Sequence, residues 1–331
     1  MEVIRLEILI KVKNLSKYYK AGKKKLNKEN DRVEQPYLKA VDDVSLNVYK
    51  GEILGIVGES GCGKSTLGRC IMKLIDSTKG SIEIKGDNIV NHHFKQMKPY
   101  RKQMQMIFQN PFSSFNPKQT IGKNIGNVAK LYNIPQKAYD EKITQLLEYI
   151  GLPLSTLKRH PNELSGGQLQ RLAIIRALLL NPEFIMADEP VSALDVSVQA
   201  QILNLMLDLR DEYKMTMMFI SHELTVVEHI CDRVAVMYLG TIVEMGNTNQ
   251  LFKNALHPYT QTLLSAKPKE LPELEVNRII LKGDVPSAMN IPSGCRFHTR
   301  CPYTIQNKCN VEVPKFIEIE EGHWAACHLN K

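Results

Sequence analysis

Apolar and charged residues alternate in the first stretch of the chain. The apolar positions are Ile4, Leu6, Ile8, Ile10 and Val12. A period of two predicts a β-strand around residues 3–13, and it argues against a secretory leader there. A lysine-rich polar insert follows over residues 20–36, and this pattern predicts a solvated loop between two strands.

The central part alternates between continuous apolar runs and helical spacing. The apolar runs, which predict buried strands, cover residues 53–57, 184–187 and 215–220. Helical spacing is shown by Tyr139, Ile143, Leu146, Leu147 and Ile150, before a capping Gly151. Further helices are predicted over residues 165–180 and 196–212. Strands that alternate with helices predict an α/β fold with a mostly parallel sheet.

The last third of the chain differs in its pattern and composition. "RVAVMYLGTIVEMG" predicts a short hairpin that turns at Leu239-Gly240. Prolines and cysteines become frequent after it. We therefore expect a main domain over residues 1–246, more helical over about 95–180, and a small irregular cysteine-containing domain over 247–331.

Composition excludes some classes of protein. Of the 331 residues, 43% are hydrophobic and 24% are charged, which is ordinary for a globular chain. No apolar run reaches the length of a bilayer span, so we expect a cytoplasmic chain whose membrane role needs other chains. The net charge of +8 is compatible with several partners. No aromatics interleave with the lysines of residues 20–28, so no nucleic-acid partner is expected.

"GESGCGKST" fits the pattern G-x-x-x-x-G-K-[ST] between a predicted buried strand and a helix. Glycines let backbone N–H groups curl around phosphate oxygens, the lysine adds positive charge, and the serine hydroxyl can ligate Mg²⁺. The alternative is a merely structural glycine turn. The candidate phosphate-binding residues are Gly58, Ser60, Gly61, Cys62, Gly63, Lys64, Ser65 and Thr66.

"FIMADE" places two carboxylates, Asp188 and Glu189, after a predicted buried strand. The carboxyl ends of strands are where α/β sheets bind ligands. Asp188 is predicted to hold Mg²⁺, and Glu189 to orient and deprotonate the attacking water. By itself such a pair is more often a solvated turn, and the upstream phosphate loop reverses that preference.

"LSGGQLQR" predicts a second anion site at a helix N-terminus, formed by Ser165, Gly166, Gly167 and Gln168. A single ATPase domain needs one phosphate cradle. A second cradle makes sense if it faces a nucleotide held by a different chain.

With these motifs the sequence resembles the ABC ATPases over roughly residues 3–246. The resemblance implies a P-loop ATPase with a RecA-like core and a helical subdomain. It implies that Tyr19, rather than Tyr18, stacks on adenine and that His222 contacts the γ-phosphate. It also implies that Asp195 of "SALD" lies in a loop at the dimer interface, and that Gln109 joins Ser65 and Asp188 at Mg²⁺.

"HPYTQTLLSAKP" and "CRFHTRCPY" resemble the ATP-binding subunits of oligopeptide and dipeptide ABC importers, and "NPFSSFNP" resembles their F-type member. The resemblance implies ATP hydrolysis that powers peptide import. It implies a D-type ATPase subunit as heterodimer partner, with two transmembrane permeases that meet residues 109–116. An extracytoplasmic peptide-binding protein would act indirectly, and the chain would lie peripherally on the cytoplasmic face of the membrane.

Two alternatives to peptide import remain. One is an importer for another substrate such as nickel. The other is a soluble ABC ATPase outside transport. Repair types of the latter insert a long coiled coil between phosphate loop and signature, whereas here Lys64 and Ser165 are 101 positions apart (165 − 64) without heptads.

Four of the seven cysteines lie in the tail with the spacing C-x5-C-x7-C-x17-C: Cys295, Cys301, Cys309 and Cys327. Zinc sites usually contain a tight cysteine pair, and a reducing cytosol disfavours disulfides. Four thiolates on a short irregular segment suit an iron–sulfur cluster, with zinc or unligated thiols as alternatives. The resemblance implies a 4Fe–4S cluster that acts as a structural clasp. Cys62, Cys70 and Cys231 are predicted to be small buried residues.

Overall fold

The computed structural model describes residues 7–22, 25–27, 32–34, 36–266, 279–281 and 283–330, with only the backbone at 25–27 and 32–34. The chain divides into two compact units. The first unit comprises residues 1–49, 53–91 and 221–331, and the second comprises residues 50–52 and 92–220.

The strands of the first unit are β1 (Ile8–Lys20), β2 (Lys25–Asn27), β3 (Arg32–Glu34), β4 (Tyr37–Tyr49), β5 (Ile53–Val57), β6 (Lys79–Ile84) and β7 (Asp87–Asn88). Those of the second unit are β8 (Met104–Ile107), β9 (Phe184–Asp188) and β10 (Thr216–Ser221). The first unit also holds β11 (Arg233–Tyr238), β12 (Thr241–Asn247), β13 (Ile317–Glu320) and β14 (His323–Ala325).

The helices of the first unit are α1 (Lys64–Ile71), α7 (Leu224–Ile230), α8 (Thr248–Lys253) and α9 (Pro258–Ser265). Those of the second unit are α2 (Lys98–Gln103), α3 (Ile121–Leu131), α4 (Gln136–Tyr149), α5 (Gly166–Leu178) and α6 (Val196–Tyr213). Within the described residues, none of these helices is both long enough and apolar enough to cross a bilayer.

The first unit contains three groups of paired strands, of which the smallest is the pair β2 and β3. Antiparallel pairing gives the order β4-β1-β6-β7, and a second group runs β13-β14-β12-β11-β5 with β11 parallel to β5. Every residue of β5 is buried, as the apolar run predicts. The first strand begins at Ile8 within the described residues, and it continues to Lys20 because that residue pairs with Tyr37 of β4. Positions 3–6 of the predicted strand lie outside the described residues.

The polar insert differs from the predicted loop. Lys25–Asn27 and Arg32–Glu34 form a short antiparallel ladder, with Leu26 opposite Val33. Three residues per strand are too few to produce a readable alternation, so the pattern did not predict this hairpin.

The hairpin of β11 and β12 supports the residues before α1. Leu239 and Gly240 both have positive φ, 43° and 82°, as a two-residue type I′ turn requires. The Gly240 N–H donates to the Cys62 carbonyl at 2.8 Å. The predicted turn is confirmed, and it touches the glycine-rich loop.

The tail after residue 246 adds a strand to the first unit. Glu244 of β12 pairs with Ala325 of β14. His323 Nε2 lies 2.8 Å from Glu244 Oε1, and both side chains are fully buried. The domain boundary at residue 246 stays a prediction.

The second unit holds three parallel strands, since β8 and β10 both pair with β9. Helix α4 ends at Tyr149, and Gly151 follows with φ +67°, which matches the predicted cap. Helix α5 starts one residue after Ser165, and α6 matches the predicted range to within one residue. The fold is α/β, as predicted.

Candidate active site

The glycine-rich loop before α1 depends on two glycines. Gly58 and Gly63 have φ of +152° and +108°. A Cβ at Gly58 would lie 2.2 Å from the Met237 carbonyl oxygen, and one at Gly63 would lie 2.0 Å from the Ala40 carbonyl oxygen. Both obstacles are backbone atoms, so only glycine fits and the loop is held in one shape.

Lys64 is folded back over this loop. Its side chain is buried, and Nζ donates to the carbonyls of Gly58 at 2.7 Å and Glu59 at 3.1 Å. Ser65 and Thr66 occupy the first turn of α1 and are half-buried, whereas Ser60 and Gly61 are exposed and Cys62 is buried. The loop therefore offers a lysine and backbone amides to an anion.

The two adjacent tyrosines of β1 have different surroundings. The Tyr18 hydroxyl hydrogen-bonds to the Asp42 carboxylate, so that side chain is engaged within the sheet. Tyr19 is 40% exposed, and Lys17 Nζ makes a cation–π contact with its ring, 4.9 Å from the ring centroid. Of the two, Tyr19 has the more exposed ring, and its hydroxyl is not the one engaged with Asp42.

In the second unit, Gln109 and Glu189 meet. Gln109 Nε2 donates to Glu189 Oε2 at 2.8 Å, and it lies 3.4 Å from the Ser192 hydroxyl oxygen. That hydroxyl donates to the Glu189 carbonyl at 3.1 Å. Residues 80 positions apart along the chain thus form one cluster around the predicted base, and Ser192 is a member that the sequence reasoning did not single out.

The backbone at Glu189 is unusual. Asp188 is the last residue of β9 and is buried, and Glu189 follows with φ +48°. The Glu189 N–H donates to the Ile220 carbonyl of β10 at 3.0 Å. A positive φ is rare for a residue with a side chain, and here β10 fixes it.

Helix α5 begins with a reciprocal capping box. The Ser165 hydroxyl accepts from the Gln168 N–H at 3.3 Å, and the Gln168 side chain accepts from the Ser165 N–H at 3.1 Å. At Gly167 a Cβ would lie 2.5 Å from Val198 Cγ1 of α6, so this glycine allows the two helices to approach closely. Asp195 is the exposed residue before α6.

The predicted switch histidine directly follows β10. His222 is exposed, and its Nε2 lies 4.0 Å from Glu223 Oε1. This contact is at the limit of an ion pair.

The "HPY" triplet has a local structural reason. His257 precedes α9, and its Nδ1 accepts from the Tyr259 N–H at 3.1 Å. Burial lowers the pKa of His257 to about 4, which keeps the ring neutral and able to accept. Pro258 occupies the first helical position, where a missing N–H costs nothing. The Tyr259 hydroxyl then accepts from the Glu59 N–H at 2.8 Å.

Two further contacts join the tail to other parts of the first unit, and the sequence did not predict either of them. The Arg300 guanidinium donates to both carboxylate oxygens of Glu59, at 2.9 and 3.2 Å. Arg296 pairs with Asp42 and donates to the Leu239 carbonyl. The two arginines can be read from the sequence as possible ion-pair partners. Nothing in the sequence pattern indicates which distant carboxylate each arginine pairs with.

The four tail cysteines lie near one another. The Cys295 N–H donates to the Cys309 carbonyl at 2.7 Å. Burial and then the neighbouring Cys309, Cys327 and Cys301 raise the pKa of the Cys295 thiol to about 11. Burial likewise raises the pKa of Cys301 and Cys327. These raised pKa values favour the neutral thiol form of Cys295, Cys301 and Cys327 at neutral pH.

These cysteines are not arranged around a single ion. Among the described residues, no three His, Cys, Asp or Glu side chains are grouped so that they could hold a metal ion. Cys62, Cys70 and Cys231 are buried, as predicted.

Comparison with known proteins gives two family matches. Residues 41–192 match the model described as ABC transporter, and residues 243–309 match the model described as the C-terminal region of oligopeptide/dipeptide transporters.

Curated relatives extend over most of the chain. The chain is 50% identical to the oligopeptide transport ATP-binding protein AppF of Bacillus subtilis over 296 residues, 88% of this chain and 90% of that protein. It is 46% identical to a probable peptide ABC transporter ATP-binding protein of Sinorhizobium fredii, over 98% of this chain and 90% of that protein.

Solved structures give the same fold. An ABC transporter component from Clostridium perfringens, cbiO1, superposes with a TM-score of 0.63 at 23% identity, covering 75% of this chain and 92% of that one. The ATP-binding cassette MJ0796, solved as a dimer bound to ADP and Pi, gives a TM-score of 0.62 at 27% identity, covering 72% and 98%.

Proposed function

The chain belongs to the ATP-binding proteins of ABC transporters of the oligopeptide and dipeptide type, and we propose from this that it hydrolyses ATP to power peptide import. The observation that carries the proposal is the 50% identity to an oligopeptide transport ATP-binding protein across most of both chains. The match of the tail to the C-terminal region of such transporters supports the same substrate class.

The phosphate loop, Gly58–Thr66, binds the ATP phosphates in this proposal. Its shape is fixed by backbone contacts at Gly58 and Gly63, so the amides need little rearrangement to meet an anion. Lys64 exchanges its two carbonyl contacts for phosphate oxygens. Tyr19 stacks on the adenine, which its exposed ring supports.

Glu189 acts as the general base that takes a proton from the attacking water. The contact with Gln109 supports this role, because an amide donor at 2.8 Å orients the carboxylate. His222 donates to the γ-phosphate. Ser65, Gln109 and Asp188 would hold Mg²⁺, which when bound neutralises charge on the β- and γ-phosphates.

The helix start at Ser165, Gly166, Gly167 and Gln168 faces a nucleotide bound by another subunit, with Asp195 at the same interface. We propose a related D-type chain as the partner in a head-to-tail dimer. The dimeric state of one structural relative supports a paired arrangement.

Two permease subunits would contact residues 109–116, where the Phe112 side chain is 49% exposed. The chain would then lie on the cytoplasmic face of the membrane. Peptide specificity would come from an extracytoplasmic binding protein that this chain never touches.

The tail would carry a 4Fe–4S cluster on Cys295, Cys301, Cys309 and Cys327. Burial and then the neighbouring thiols raise the pKa of Cys295, Cys301 and Cys327, and this supports the assignment because a bound cationic centre would offset the cost of forming thiolates. Ligation requires thiolates, so cluster binding releases protons. Anaerobically purified protein should contain about four iron and four sulfide per chain, whereas one zinc per chain would support the zinc alternative.

The test of the catalytic proposal is Glu189→Gln in the assembled transporter. Loss of a general base typically lowers turnover by about 10²–10⁴. ATP binding should persist, because the phosphate loop is unchanged. Lys64→Ala is the matched variant and should weaken ATP binding itself. Turnover near wild type in Glu189→Gln would exclude this residue as the base.

A further inference from the structure

Two side chains of the tail, Tyr259 and Arg300, contact Glu59 of the phosphate loop. The Arg300 guanidinium donates to both carboxylate oxygens of Glu59, and the Tyr259 hydroxyl accepts from its backbone N–H. The side chain of Arg300 is 9% exposed and that of Glu59 is 27% exposed. Bidentate pairs of this kind fix orientation as well as charge.

Packing within the tail holds Arg300 in place. The backbone N–H of Arg300 donates to the Phe297 carbonyl at 3.0 Å. The buried Phe297 ring lies 5.2 Å from the Tyr238 ring and 5.4 Å from the Tyr259 ring. The backbone of Arg300 is therefore anchored to this aromatic cluster, which places its side chain beside Glu59.

Glu59 is the second residue of the phosphate loop, and its peptide groups are held from both sides. The N–H is bound by Tyr259, and the carbonyl accepts from Lys64 Nζ at 3.1 Å. A carboxylate at this position opposes the approach of a triphosphate unless a cation neutralises it. Arg300 is that cation, since its guanidinium donates to both oxygens of the Glu59 carboxylate.

We propose that Arg300 is a positioning residue for ATP binding: by pairing with Glu59 it orients the phosphate loop and cancels a negative charge beside the phosphate site. The tail is thereby a working part of the nucleotide site. This inference rests on the proposed role of the loop in ATP binding.

The experiment is a double-variant cycle on the full chain, with dissociation constants for ATP and ADP measured at equilibrium. Arg300→Ala should weaken ATP binding roughly ten-fold or more, because a charged hydrogen-bonded partner is lost. ADP should be affected less, since it carries less negative charge. Glu59→Gln in the Arg300→Ala background should restore most of the loss, because the unpaired carboxylate is gone.

Arg296→Ala is the matched control. It removes a second tail arginine that binds Asp42 and the Leu239 carbonyl, not Glu59. Any effect it has on ATP binding should be insensitive to Glu59→Gln. Fluorescence of the single tryptophan, Trp324 in β14, shows whether each variant keeps a folded tail. If Arg300→Ala fails to fold, Arg300→Lys keeps the charge without the bidentate geometry and should show a smaller loss of the same sign.

The outcomes separate this inference from the proposed function. If Lys64→Ala binds ATP as tightly as wild type, the loop is not the nucleotide site and the proposed function fails. If Lys64→Ala loses affinity while folded Arg300 variants keep it, the positioning role is wrong. A loss in Arg300→Ala that Glu59→Gln does not relieve would show a purely structural contact, and it would also overturn the proposal.

Discussion

Two helices of this chain start with glycine-rich turns, and the two starts are built differently. Before α1, Gly63 has φ +108° and no side chain with which to cap the first turn. Before α5, Ser165 has φ −69° and forms a closed capping box with Gln168. The first helix start therefore has no side-chain cap at its N-cap residue, and the second satisfies part of its hydrogen bonding through its own cap.

The difference shows which contacts fix the conformation of each glycine-rich helix start. The loop before α1 is fixed by tertiary contacts, because backbone carbonyls of Met237 and Ala40 leave no room for a Cβ. The start of α5 is fixed by its own sequence, since a capping box is local. The loop that we propose binds this chain's own nucleotide is thus shaped by its surroundings. The helix start that we propose faces a neighbour's nucleotide is stabilised by its own cap.

The largest expected effect is that of Gly63→Ala. The substitution adds a Cβ at 2.0 Å from a backbone oxygen at a φ that alanine rarely adopts. Strain and overpacking together should lower the free energy of unfolding by roughly 2–5 kcal/mol. ATP binding should fall as well. Urea unfolding followed by Trp324 fluorescence, with ATP titration, measures both.

Gly61→Ala is the matched control for that variant. Gly61 has φ +80°, but no atom lies within 4 Å of its ideal Cβ position. Only backbone strain should remain, about 1–2 kcal/mol. Equal destabilisation by the two variants would show that tertiary contacts do not shape this loop.

Local pattern carried most of the fold prediction. The run Ile53–Val57 is a fully buried strand, and the α4 spacing, Gly151 and the Leu239-Gly240 turn all occur where they were expected. These features depend on residues close together in sequence, which is the range that periodicity and turn chemistry can report.

What the sequence could not reveal is non-local. The pairing of Glu59 with Arg300 joins residues 241 positions apart, and that of Glu244 with His323 joins residues 79 apart. Such partners are chosen by the packing of strands and tail, which no short motif encodes. The cysteine spacing predicted a metal or iron–sulfur ligand. Among the described residues, no three His, Cys, Asp or Glu side chains are grouped so that they could hold a metal ion.

Gly167→Ala tests the one tight position in the second cradle. Its Cβ would lie 2.5 Å from Val198 Cγ1, so α5 and α6 must separate or Val198 must change rotamer. The expected cost is about 1–3 kcal/mol in the free energy of unfolding, measured by circular dichroism in urea. Val198→Ala in the same chain should recover much of that loss, and failure to do so would place the clash elsewhere.

Ser165→Ala removes the capping box from the start of α5. The Gln168 N–H would lose its acceptor, and such losses typically cost about 1 kcal/mol. Ser165→Asn should restore most of this, because asparagine is a comparable cap. ATP affinity of the isolated chain should not change in either variant. A loss of affinity would mean that this helix start serves the chain's own nucleotide.

Gly166→Ala should have the smallest effect on the isolated chain, and it separates folding from function most cleanly. Gly166 has no positive φ, and the nearest atom to its ideal Cβ is Leu194 Cδ2 at 3.5 Å, an ordinary contact. Alanine also loses less backbone entropy on folding, so the free energy of unfolding should stay unchanged or rise by about 0.4–1 kcal/mol. In the assembled transporter the same methyl group would stand where a partner's phosphate approaches the α5 amides, so ATPase turnover should fall. Unchanged turnover there would mean that these amides are not part of a composite site, and the contrast between the two helix starts would then be one of folding alone.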